Sequence, residues 1–70
     1  MSDIKILNEG SEYQTLEVGY PGKMLELNSK DKDGDVCVEF YGSSDNYTLY
    51  LNQEEIKAVI KHLQAQVVQE

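Results

Sequence analysis

The spacing of apolar residues changes once along this 70-residue chain. Up to Leu51 apolar and polar residues alternate on a period of two, the repeat of strands whose successive side chains point to opposite faces. From Ile56 onward the apolar residues Ile56, Val59, Ile60, Leu63 and Val67 recur three and four apart, the repeat that lines one stripe of a helix.

Turn-forming clusters divide the alternating part into runs. Ile4 to Leu7 is a short apolar patch read as a first edge strand, ended by Asn8, Glu9, Gly10 and Ser11. Tyr13 to Tyr20 follows, and Pro21 and Gly22 suit the central positions of a type II turn. That turn matches the twist of a tight hairpin poorly, so a wider connection or a bulge near Gly19 is expected. Met24 to Asn28, Asp35 to Tyr41 and Tyr47 to Leu51 are the remaining strands, separated by the polar loops Ser29 to Gly34 and Gly42 to Asn46.

The helix announces its own start. Asn52 is placed to cap it and Glu55 to reach back to the Asn52 N–H, while Leu51 and Ile56 are spaced as a hydrophobic staple. Glu54 and Glu55 lie at the positive end of the helix dipole and Lys61 and His62 lie towards the other, with nothing to break the helix from Glu54 to Gln66.

Linkers this short cannot carry parallel crossovers, so neighbouring strands must return antiparallel. One sheet face then carries Leu16, Val18, Leu25, Leu27, Val36, Val38, Phe40, Leu49 and Leu51, with Tyr20 and Tyr47 at its margin. The helix stripe is the one long apolar surface left to cover it. The expected fold is α+β: a single domain over residues 1–70, an antiparallel β-meander of four to five strands with one C-terminal helix packed on one face. Burying the stripe residues would contribute about 1.5–3 kcal/mol each before chain entropy opposes it, so loss of Ile60 or Leu63 is expected to come close to unfolding the domain.

Charge narrows the partners. The chain has 13 acidic and 6 basic residues and a net charge of -7. The imbalance is concentrated before the helix body: residues 1–55 hold 12 carboxylates and 4 lysines, residues 56–70 two lysines and one glutamate. A potential of this sign repels a phosphate backbone and an anionic membrane, so neither direct nucleic-acid binding nor membrane adhesion is expected. One cysteine, Cys37, permits no intrachain disulfide, and no signal-like or membrane-spanning apolar run is present. Cytoplasmic residence is the default expectation.

Candidate chemistry is sparse. Asp31, Asp33 and Asp35 alternate as in a calcium loop, but neither register supplies both the glycine and the closing glutamate that such a loop needs, and the flanks read as strands. His62 and Cys37 are each alone, too few for a zinc cluster. Cys37 has Asp35 and Glu39 for sequence neighbours, which disfavour a thiolate. Ser43, Ser44 and Asp45 are ordinary loop residues. No catalytic residue, metal or cofactor is expected.

The second sheet face is aromatic and acidic together, carrying Tyr13, Thr15, Glu17, Met24, Glu26, Cys37, Glu39, Tyr41, Thr48 and Tyr50. Tyrosine offers large rigid contact area and glutamates select a basic surface opposite. The candidate interaction face is therefore Tyr13, Glu17, Met24, Glu26, Glu39, Tyr41 and Tyr50. The leading expectation is a small acidic, non-enzymatic interaction or regulatory module with a basic protein partner. Alternatives are a homodimeric or larger structural assembly through the same face, a nucleic-acid mimic that occupies a basic DNA- or RNA-binding groove, and a weak metal-dependent hydrolase. The segment L-N-Q-E-E-I-K-A-V-I-K-H-L-Q has the general look of small phage or bacterial proteins, a likeness that carries over no functional residue.

Overall fold

The computed structural model describes residues 3–20 and 22–68. Within them the strands are β1 (Asp3–Leu7), β2 (Thr15–Tyr20), β3 (Lys23–Leu27), β4 (Val36–Tyr41) and β5 (Asn46–Leu51), followed by the helix α1 (Gln53–Gln66). The strands lie in chain order in one sheet, each antiparallel to the next. The fold is thus a five-strand meander with one C-terminal helix packed against it through β5.

Register stacks the alternating residues into rows that cross the whole sheet. On the apolar face Ile4, Val18, Leu25, Phe40 and Tyr47 form one row, and Ile6, Leu16, Leu27, Val38 and Leu49 the next. Val38, flanked by Leu27 and Leu49, is the one buried apolar residue among those described, at 3% exposure.

The hairpin between β2 and β3 is tighter than expected. Tyr20 pairs with Lys23 and the register runs unbroken through Gly19 opposite Met24, so there is neither a widened connection nor a bulge. The backbone of Gly19 accommodates the tight return instead, with φ at +136°; a Cβ there would lie 2.4 Å from the Lys23 carbonyl oxygen. The type II assignment rests on Pro21, which lies outside the described residues; Gly22 has φ +90°.

α1 begins as the sequence implies. The Glu55 N–H donates to the Asn52 side-chain oxygen at 2.9 Å and the Asn52 N–H donates to a Glu55 carboxylate oxygen at 2.8 Å, a complete capping box. Leu51 and Ile56 are both half-buried. Past this first turn the stripe meets little: Ile60 stays 48% and Leu63 58% exposed. The expected burial of the stripe is therefore not completed within the chain, and truncating Ile60 or Leu63 removes few intrachain contacts. At the junction Asn52 alone separates β5 from α1, and the Gln53 side-chain amide donates to the Gly34 carbonyl at 2.6 Å, tying the helix start to the β3–β4 loop.

Candidate functional site

The face opposite the apolar rows is also ordered by register. Lys5, Glu17, Glu26, Glu39 and Thr48 stand side by side, one per strand. Glutamates thus face glutamates on three adjacent strands, an arrangement that repels at each step. One neighbouring row holds Gly19, Met24, Tyr41 and Asn46; in another, Cys37 pairs with Tyr50.

Tyr41 ties the carboxylates together. Its hydroxyl donates to Glu26 Oε2 at 2.9 Å and is in hydrogen-bond contact with Glu39 Oε2. A phenol has one proton, so the acceptors share it. The Tyr41 bond and a bond from Glu26 hold Glu39 below the usual carboxylate range. The Tyr41 bond lowers Glu26 too, but desolvation and the carboxylates of Glu39 and Glu17 outweigh it, and the net displacement of Glu26 is upward. Glu26 is therefore the group of the pair that takes a proton first. Accepting carboxylates on both sides push the Tyr41 hydroxyl well above the ordinary tyrosine value, Glu39 more than Glu26. Cys37, with its Sγ 3.9 Å from Glu39 Oε1, extends the cluster towards Tyr50, whose hydroxyl is pushed up first by Cys37.

Of the residues singled out from the sequence, Glu17, Met24, Glu26, Glu39 and Tyr41 stand together on the three central strands, and Tyr50 adjoins them on the edge strand β5. Tyr13 stands apart. It lies in the β1–β2 loop, its N–H donating to Ser11 Oγ at 3.0 Å, and helps line an open hollow of about 830 Å³ with Glu12, Asn28 and Lys30. The turn that places it there forms because Asn8 takes φ +53° and its carbonyl accepts from both the backbone N–H and the hydroxyl of Ser11. Lys5 and Thr48, which close the glutamate row at its two ends, become visible only once the register is known.

The aspartates of the β3–β4 loop serve the loop itself. Asp31 Oδ1 accepts from the backbone N–H groups of Asp33 at 2.9 Å and Asp35 at 3.0 Å. Among the described residues no group of three or more His, Cys, Asp or Glu side chains is placed to hold a metal ion. No helix among them is long and apolar enough to cross a membrane.

No protein family, curated protein or solved structure matches the chain. What the geometry defines is a small α+β domain with an exposed sheet face.

Proposed function

We propose that this chain is a non-enzymatic interaction module whose glutamate-and-tyrosine sheet face binds a basic patch on a partner protein. The observation that carries this reading is the in-register row Glu17, Glu26, Glu39. Like charges directly opposite one another weaken a sheet, and departures from local consistency of this kind concentrate at functional surfaces. Lys or Arg side chains from a partner relieve the repulsion and gain charge-assisted hydrogen bonds, bidentate ones in the case of Arg. Tyr41 is already fixed by its carboxylate acceptors, so its ring offers contact area at little entropic cost. Met24 and Tyr50 flank it on either side of the glutamate row and widen the same surface.

The deciding experiment compares the wild type with a Glu17→Gln, Glu26→Gln, Glu39→Gln variant as bait for native partners, with circular dichroism to show that the variant is folded. The expected result is loss of a basic protein from the captured set, with wild-type capture falling as salt rises. Equal capture by the folded variant overturns the proposal. Displacement of nucleic acid from the captured protein would identify the bound surface as its nucleic-acid groove.

A further inference from the structure

The surface opposite the glutamate row raises a separate question, because too much of this chain is open to solvent. Its accessible surface is 6013 Å², whereas a folded monomer of 8.0 kDa exposes about 4,450 Å². Its radius of gyration is 13.1 Å, against about 11 Å for a compact chain of this length. The excess of roughly 1,500 Å² per chain would make an interface of about 3,000 Å² if two chains buried it against each other, within the range of obligate homodimers.

Two exposed apolar surfaces contribute to the excess, and they fit one another. One is the apolar sheet face, where Phe40 is 43% and Leu49 50% exposed. The other is the stripe of α1 beyond Ile56, which the chain's own sheet covers only in part. Their dimensions agree: the outer strands of a five-strand sheet lie about 19 Å apart, and the 14 residues of α1 span about 21 Å.

We infer that two copies of this chain form a symmetric dimer in which α1 of each lies, stripe down, across the apolar sheet face of the other. The contact is isologous, helix to sheet and sheet to helix, so both unsatisfied surfaces of both chains are used at once. It leaves the glutamate rows facing outward on opposite sides of the assembly. It does not depend on the partner proposed for those rows.

Sedimentation over a dilution series, with thermal melting at each concentration, tests this. The expected result is twice the 8.0 kDa chain mass and a Tm that rises with concentration. Leu63→Asp on the helix and Phe40→Asp on the sheet should each weaken the dimer by about a hundredfold or more. Mixing the two variants should restore a dimer in part, because the intact helix of one chain then meets the intact sheet of the other. A single-chain mass with a concentration-independent Tm overturns the inference in favour of α1 closing over its own sheet. A dimer that survives both substitutions, or a mixture that shows no recovery, overturns the helix-on-sheet arrangement. If either variant fails to fold alone, the concentration dependence of the wild-type Tm still decides between dimer and monomer.

Discussion

Glu26 on β3 stands directly opposite Glu39 on β4, and the hydroxyl of Tyr41 bonds to both carboxylates. The two acids respond in opposite senses to pH. Glu26 holds its proton more tightly folded than unfolded, so its contribution to stability is present below the ordinary glutamate range and is lost as pH rises through its raised value. Glu39 is depressed, so its contribution is present above the ordinary range and is lost as pH falls through its lowered value. Glu26→Gln should therefore stabilise the fold near neutral pH, raising Tm by roughly 1–4 °C, and the gain should vanish once Glu26 of the wild type is protonated. Paired melts at neutral and acidic pH check this; a lower Tm for the variant at neutral pH would contradict it.

Tyr41→Phe removes the largest lowering influence on both acids. Both carboxyl groups should titrate at higher pH in the variant, a shift readable from their side-chain carbon resonances. In the wild type the phenols of Tyr41 and Tyr50 should ionise later than an ordinary tyrosine when ultraviolet absorbance is followed into alkali. Replacing Cys37 with Ala should bring Tyr50 back towards the ordinary value and leave Tyr41 high, because Glu39 and Glu26 hold Tyr41 while Cys37 is the first influence on Tyr50.

How far the sequence could be read follows from what each pattern encodes. Alternation assigns a side chain to a face, and that sufficed to set Glu17, Glu26, Glu39 and Tyr41 apart from Val38 and Leu27. It does not say which residue stands opposite which. Register depends on turn geometry, so the continuous glutamate row with Lys5 and Thr48 at its ends emerges only from the structure. The helix start was legible because Asn52 and Glu55 bond to one another locally. The pose of α1 was not: spacing shows which side of a helix is apolar and leaves open what covers it. Tyr13 fits the alternation of β2, yet the turn closed by Asn8 and Ser11 leaves it outside the strand.

Gly19 should not tolerate a side chain. Its φ is +136° and a Cβ would come within 2.4 Å of the Lys23 carbonyl oxygen, so Gly19→Ala must shift the hairpin return. Backbone strain alone should cost about 1–3 kcal/mol, enough to lower Tm by roughly 5–20 °C in a domain of this size. Gly22→Ala meets no atom within 4 Å and serves as the contrast, strained through its φ of +90° without a steric clash, and should be the milder of the two.

Asn52→Ala removes the acceptor of the Glu55 N–H. The expected loss is about 1 kcal/mol, with hydrogen exchange at the Glu55 amide accelerating before any change in the strands. Asn52→Asp keeps the acceptor and should stay close to the wild type. Equal exchange in Asn52→Ala and the wild type would show that the cap is not holding the helix start.

The passage from β5 to α1 through Asn52 alone also governs how the chain's length can drift. Each residue added between Leu51 and Ile56 turns the whole apolar stripe by about 100° relative to the sheet. An extra residue among Gly42 to Asp45, an exposed loop closed by the Gly42 N–H bond to the Asp45 carbonyl, enlarges only that loop. In a lineage of such chains, insertions and deletions should therefore collect in the hairpin loops, while the count from Leu51 to Ile56 stays constant even where the residues themselves change.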